Sequence, residues 1–227
     1  MTTTTVDSTT QPQTTAPAAG DQCVIMSGID WKGYETMLRL RGQRPRPRMI
    51  YLDGDLFLMS PAYFHELHAE RLGDLVKELA LGLGFPFERA RSTTFRSRKH
   101  EGGAEADASF YLANAARLKG RKELDLRVDP PPDLAIEAVN THAAAAAIEA
   151  WRRFGVPEVW VGDASRVRIL VLQGDGRYVE TPHSLAFPFL SAVEIFGWMT
   201  REVEGSEADW FVQLRDWVRD VVVPRVR

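Results

Sequence analysis

The segment Pro132–Val139, PDLAIEAV, constrains the fold more than any other part of the chain. It is short and apolar, lies between prolines and polar residues, and therefore predicts a buried central strand. Side chains alternate along a strand, so Glu137 shares one face with Asp133 and Ala135. A carboxylate is costly to bury unless it is paired, hydrogen-bonded or bound to a metal. Glu137 therefore marks either a functional site or a structural acid held by an arginine or by backbone donors.

A second acidic segment, Glu105–Tyr111, supplies a partner for Glu137. Read as one strand, it places Glu105, Asp107, Ser109 and Tyr111 on the same side. Two strands that each present an acid would bring Asp107 and Glu137 together around a divalent cation. Ligation by oxygen atoms alone suits Mg²⁺ or Mn²⁺.

Composition narrows the class of protein. The 227 residues, 44% of them hydrophobic, allow one sizeable globular domain with appendages. The formal net charge of -3 gives no global attraction for nucleic acid, so any basic surface has to be local. The single cysteine, Cys23, excludes an internal disulfide and fits a reducing compartment. With no membrane-length apolar run and no signal-peptide pattern, we expect a soluble cytoplasmic protein without a membrane partner.

Three regions follow from the pattern of residues. Residues 1–23 form a Thr/Pro/Ala-rich tail that lacks core-forming side chains and predicts disorder. Residues 24–200 form the globular domain. Residues 201–227 contain an amphipathic helix, which either packs on the domain or docks a partner, with an apolar stripe of Trp210, Phe211, Leu214, Trp217 and Val218.

The domain alternates helices and strands, which predicts an α/β fold with a mixed sheet flanked by helices. Asp53-Gly54 predicts the turn of a hairpin over 49–59. In a helix over 62–81, the inward stripe of leucines and valine projects back to His68 and His65. The arginine-rich connector 41–48 could contact phosphate, but a solvated loop is the preferred interpretation. Further strands and an alanine-rich helix over 143–154 complete the domain.

Five motifs in order resemble the Uma-type putative restriction endonuclease family, a branch of the PD-(D/E)XK nuclease superfamily. They are YLDGD at 51–55, MSP at 59–61 with His65, EAD at 105–107, PDLAIE at 132–137 and GVPEVW at 155–160. The likeness covers roughly residues 30–163. It implies a restriction-endonuclease-like fold and a magnesium-dependent endonuclease that hydrolyses phosphodiester bonds, with DNA as the expected nucleic acid.

The resemblance also implies roles for particular residues. Asp107 and Glu137 would be the first and second metal-binding acids, both catalytic, with Mg²⁺ or Mn²⁺ as cofactor. His65 would border the site as a third catalytic residue.

One position departs from the family pattern. The superfamily's usual lysine, two residues after the second acid, is Val139 here, and this family typically takes its lysine from the following helix. That lysine should fall at Ala147 and is absent, and Ala146 occupies the polar position often found beside it. The nearest substitutes in the sequence are Arg98, Lys99 and His100.

Two functions therefore stay open at this stage. The chain is an endonuclease, weakened by the loss of the lysine at Ala147, or it is a catalytically impaired nuclease fold that binds nucleic acid or protein. The choice between DNA and RNA, the cleavage specificity and a homodimeric state also stay open.

Overall fold

The computed structural model describes residues 20–91, 93–138 and 142–226. The helices are α1 Trp31–Arg41, α2 Tyr63–Leu83, α3 Ala115–Leu118, α4 His142–Phe154, α5 Ala192–Thr200, α6 Glu207–Trp217 and α7 Val223–Val226, with a 3₁₀ turn at Arg98–His100 and a π-helical turn at Val218–Val222. The strands are β1 Gln22–Met26, β2 Arg48–Leu52, β3 Asp55–Ser60, β4 Glu88–Arg89, β5 Thr94–Ser97, β6 Gly102–Glu105, β7 Ala108–Tyr111, β8 Leu134–Glu137, β9 Glu158–Gly162, β10 Val167–Leu172 and β11 Tyr178–Thr181.

These strands form two sheets. The first is antiparallel, in the order β1-β3-β2-β6-β5, and the second has the order β11-β10-β9-β8-β7-β4. In the second sheet β8 and β9 run parallel and α4 connects them, while the other pairs are antiparallel. The predicted α/β fold with a mixed sheet flanked by helices is confirmed, and β8 is a central strand as expected.

The β2–β3 hairpin turns at Asp53-Gly54, where φ is 49° and 94°. Both values are positive, as a tight turn that matches the twist of the strands requires. Glycine and aspartate tolerate that conformation better than most residues, so the dipeptide Asp53-Gly54 was enough to predict the hairpin turn.

The segment Glu105–Tyr111 is not one strand, and that prediction was wrong. Strand β6 ends at Glu105 in the first sheet, and β7 begins at Ala108 in the second. Alternation of side chains could not reveal the break, because it says nothing about which partner strand receives each backbone hydrogen bond. As a result Asp107 lies where the chain passes from one sheet to the other.

Two large apolar cores cover opposite parts of the second sheet. One contains the alanine face of α4 with Trp151, and the other contains the predicted stripe of α2 with Trp160. The C-terminal stripe belongs to the second core, because Trp210, Leu214 and Val218 are all buried. These three of the five stripe residues therefore pack on the domain.

The predicted tail, residues 1–23, stays a prediction over residues 1–19 and overlaps strand β1 at its end. Residues 1–19 lie outside the described residues, but β1 begins at Gln22 and pairs with β3 along Gln22–Met26. Backbone pairing orders this strand although its side chains are exposed, so the absence of core-forming residues was a poor guide there. Among the described residues, none of the helices combines the length and the apolar character needed to span a lipid bilayer.

Candidate active site

Asp107 and Glu137 lie at the same end of two paired strands. Strands β7 and β8 are antiparallel with Ala108 opposite Ile136, so the next pair in this register is Asp107, directly before β7, and Glu137, the last residue of β8. The Asp107 N–H donates to the Ile136 carbonyl at 3.1 Å, and the Ala138 N–H donates to Asp107 Oδ2 at 2.7 Å. Both acids are buried. The backbone therefore fixes the two carboxylates on neighbouring strands at the junction of the sheets.

Asp107 contacts two basic side chains from other elements. The Arg48 guanidinium, from the first residue of β2, pairs with Oδ1, and the His65 ring, from the first turn of α2, lies with Nε2 at 3.0 Å from Oδ2. The first sheet supplies Arg48 and α2 supplies His65, so the site exists only where these elements meet. The predicted position of His65 beside Asp107 agrees with this geometry.

His65 also contacts a second acid, Asp21. Its Nδ1 lies 2.9 Å from Asp21 Oδ2, and Asp21 Oδ1 accepts the Ala62 N–H at 2.7 Å. Carboxylate oxygens only accept, so both contacts of the ring are hydrogen bonds only when both ring nitrogens carry a proton. Asp21 thereby fixes the orientation of the imidazole that faces Asp107.

Glu137 is held from the opposite side, by α4. The Trp151 Nε1–H donates to Glu137 Oε1 at 2.6 Å in a fully buried contact. Burial raises the pKa of Glu137 to about 7, while the Trp151 hydrogen bond and the Arg48 charge act in the opposite direction. The carboxyl group therefore exchanges its proton near neutral pH in the absence of other ligands.

Glu66, one residue after His65, lies between two arginine side chains. Its Oε1 accepts from Arg48 Nη2 at 3.2 Å and from Arg46 Nη2 at 3.0 Å. Arg46 is half exposed, whereas only 13% of the Arg48 side chain is exposed. Glu66 thus holds Arg48 in place from the side away from Asp107.

Two other acids near the site, the buried Glu105 and the half-buried Asp133, are structural. Glu105 pairs with Arg41 Nη1 at 2.6 Å and accepts the Met49 N–H at 3.1 Å, while Asp133 accepts the N–H groups of Leu112 and Asn114. Their oxygens satisfy neighbouring backbone and an arginine. The sequence alone did not distinguish these acids from Asp107.

The predicted basic substitutes lie elsewhere. The His100 carbonyl accepts from Arg153 Nη1 at 3.2 Å at the C-terminal end of α4, and Lys99 and His100 line a surface pocket with Asp53 and Arg153. Within the described ranges, Arg98, Lys99 and His100 make no hydrogen bond or ion pair with Asp107 or Glu137. Val139, the superfamily's lysine position, lies outside the described residues.

Ala147 itself is fully buried and lies one helical turn before Trp151. Residues four apart share a helix face, so Ala147 and the side chain that bonds Glu137 are neighbours. The helix position inferred from the resemblance therefore lies on the face of α4 that meets the second acid, but it presents a methyl group.

Sequence reasoning missed Arg48 and Asp21. Arg48 was assigned to a solvated connector and Asp21 to the tail. For Arg48 a signal existed, since it directly precedes a predicted strand and the missing lysine calls for a cation from another element. For Asp21 we find no signal in the local sequence.

The donor set fits a small, hard cation that retains water. In the described part of the chain, no group of three or more Asp, Glu, His or Cys side chains is arranged to hold a metal ion. Mg²⁺ commonly binds through one or two carboxylates and completes its shell with water and substrate phosphate. Asp107 and Glu137 meet that requirement.

Comparisons with known proteins give a family and a fold. A family model named Uma2, described as putative restriction endonuclease, matches residues 33–204. Among solved structures, a putative nuclease belonging to DUF820 from Anabaena variabilis ATCC 29413 aligns with a TM-score of 0.50 and 15% sequence identity, over 67% of this chain and 92% of that chain. At that identity the likeness concerns the fold alone. No curated protein matches the sequence.

Proposed function

This chain belongs to the Uma2 family of putative restriction endonucleases, whose model covers residues 33–204, and from that premise we propose that it is a metal-dependent endonuclease acting on DNA. The observation that carries the proposal is the convergence of Asp107 and Glu137 at one end of β7 and β8. Two carboxylates at neighbouring positions repel each other when both are ionised, and a divalent cation between them would offset that repulsion.

Asp107 and Glu137 would hold Mg²⁺ or Mn²⁺. When bound, the ion would supply a Lewis acid for the phosphoryl group and a more acidic water. Asp107 is pre-oriented by the Ala138 N–H and Glu137 by the Trp151 indole, so the acids need little reorganisation. His65 orients Asp107 and is itself held by Asp21.

The first experiment is a nicking assay on supercoiled plasmid with Mg²⁺ or Mn²⁺. We expect metal-dependent conversion to open-circular and linear DNA, which a chelator stops. Asp107→Asn and Glu137→Gln should each remove it, because each deletes one carboxylate ligand. Asp133→Asn is the matched control, since Asp133 directly precedes β8 but only caps a loop.

A thermal melt checks the same site independently of cleavage. An ion that binds only the folded chain raises its melting temperature by mass action. We expect Mn²⁺ to stabilise the wild type and Asp133→Asn but not Asp107→Asn. Absence of both nicking and stabilisation at millimolar metal would refute the proposal, and cleavage of RNA alone would correct the substrate.

The buried methyl of Ala147 favours a second candidate function. With no lysine on this face of α4, the fold could bind nucleic acid or protein without cutting. Metal-induced stabilisation and DNA binding without any nicking would support this candidate over the endonuclease.

A further inference from the structure

Arg48 is a permanent positive charge placed against the acid pair. Its guanidinium contacts Asp107 Oδ1, and its charge favours the ionised form of Glu137. A guanidinium stays charged at any physiological pH and carries several donors in a planar fork. It therefore offers a fixed cation where the two acids meet.

The position matters because the described side chains on this face of α4 include no cation. The buried residues on this face of the helix are Ala143, Ala147, Ala150 and Trp151. Hydrolysis of a phosphodiester puts extra negative charge on the phosphoryl oxygens, and a fixed cation lowers the barrier by stabilising that charge. A site of this composition needs the cation from another element.

We propose that Arg48, from the first residue of β2, supplies the positive charge that a lysine at position 147 would otherwise provide to the phosphoryl group. This inference rests on the proposed endonuclease function. In the reaction, the water oxygen bonds to phosphorus, the phosphorus bond to the leaving oxygen breaks, and the proton lost by the water reaches the leaving oxygen through solvent. Arg48 transfers no proton and contributes charge and hydrogen bonds alone.

The surroundings of Arg48 suit that role. Arg48 Nη2 donates to Glu66 Oε1 at 3.2 Å, so Glu66 orients the guanidinium from the side away from Asp107. The side chain is 13% exposed, and its Nη1, which faces Asp107, is buried. Arg46 bonds the same Glu66 oxygen but is half exposed, and among the described residues its ion pair is with Glu66. Arg46 is therefore a matched control for loss of an arginine from the same cluster.

The test compares Arg48→Gln, Arg48→Lys and Arg46→Gln in the plasmid assay and in a Mn²⁺ melt titration. We expect Arg48→Gln to lower metal-dependent cleavage by about 10²-fold, as for removal of one charge-stabilising donor. The Mn²⁺ affinity should stay equal or rise, because a cation that competes at Asp107 has been removed. Arg48→Lys should retain more cleavage than Arg48→Gln, and Arg46→Gln should resemble the wild type.

A second-site variant sharpens the assignment. Ala147→Lys places an ammonium on the α4 face beside Trp151, with its stem among apolar neighbours. We expect it to restore cleavage to Arg48→Gln, and the further change Asp107→Asn to abolish that recovery. Melting curves establish that each variant is folded.

The outcomes separate the possible failures. Full cleavage by folded Arg48→Gln overturns this inference while leaving the endonuclease proposal intact. Parallel loss of cleavage and Mn²⁺ binding also overturns it, since that pattern belongs to a structural arginine. If Arg48→Gln does not fold, a folded, metal-binding Arg48→Lys without cleavage is the contrary result. A wild type that never cleaves refutes both proposals together.

Discussion

Glu137 combines a buried carboxyl group with a pKa near neutrality. Desolvation raises the pKa of this group to about 7 from an ordinary value of 4.5, against the Trp151 hydrogen bond and the Arg48 charge. Asp107, directly before β7, lies beside Glu137, and Arg48 is the first residue of β2. Because the pKa of Glu137 is higher in the folded chain than in the unfolded chain, the stability of the fold depends on pH through this group.

The sign of this linkage gives a pH prediction. Between about pH 4.5 and 7 the folded chain keeps a proton on Glu137 that the unfolded chain has lost, so this group's contribution to stability falls as pH rises through that window. Glu137→Gln cannot ionise and lacks this loss. With a chelator present to remove metal ions, we compare the free energy of unfolding of Glu137→Gln with that of the wild type. We expect the variant's value minus the wild-type value to rise by on the order of 2 kcal/mol from pH 5 to pH 8.

Urea denaturation at several pH values measures that difference. Other acids titrate in both proteins and cancel in the comparison. A difference that stays constant from pH 5 to pH 8 would contradict the raised pKa of Glu137.

At the scale of elements, β1 acts on the N-terminus of α2. Helix α2 begins at Tyr63 after Ala62, whose side chain gives no cap, and Asp21 just before β1 accepts the Ala62 N–H instead. The same carboxylate holds His65. An edge strand therefore caps a helix and orients a site residue through one side chain.

Replacing Asp21 with alanine should cost about 0.5–2 kcal/mol of stability, the usual range for loss of a cap. It should also reduce cleavage, because His65 loses the bond that fixes its ring. Asp30→Ala is the control, since Asp30 caps α1 by accepting the Gly33 N–H at 2.7 Å. We expect Asp30→Ala to be destabilised as much as Asp21→Ala but to cleave normally. An equal loss of cleavage in the two variants would show that Asp21→Ala acts through stability alone.

At the scale of the molecule, the C-terminal segment lies beyond the family match and closes the second core. The match ends at residue 204, yet Trp210, Leu214 and Val222 are fully buried against α2 and α5. The Trp210 Nε1–H also donates to the Trp198 carbonyl at 3.2 Å. Arg215 bonds both oxygens of Glu78 on α2, which fixes the helix in register.

Trp210→Ala should therefore destabilise the whole domain, by about 3–5 kcal/mol for a large buried aromatic. Val212 lies on the same helix but is 56% exposed, and Val212→Ala should change stability by about 0.5 kcal/mol or less. Chemical denaturation followed at several wavelengths measures both. A small effect of Trp210→Ala, or separate unfolding of the C-terminal segment, would contradict a shared core.

The sequence by itself predicted the most strongly patterned elements and singled out the candidate acids. Hydrophobic periodicity predicted α2 and β8, and Asp53-Gly54 predicted its turn, because these signals depend on neighbours along the chain. Glu137 was conspicuous because an acid in an apolar strand is costly to bury. Motif order supplied Asp107, His65 and the expected family.

Only the tertiary structure decided which groups surround those acids. The break between β6 and β7 depends on which strands receive the backbone hydrogen bonds, and alternation carries no such information. Arg48 reaches Asp107 from a different sheet, and Asp21 reaches His65 from 44 residues away. Contacts of this kind follow from packing between distant segments, whose partners local propensity does not specify. The contact of Arg48 with Asp107 is therefore established only by the folded chain.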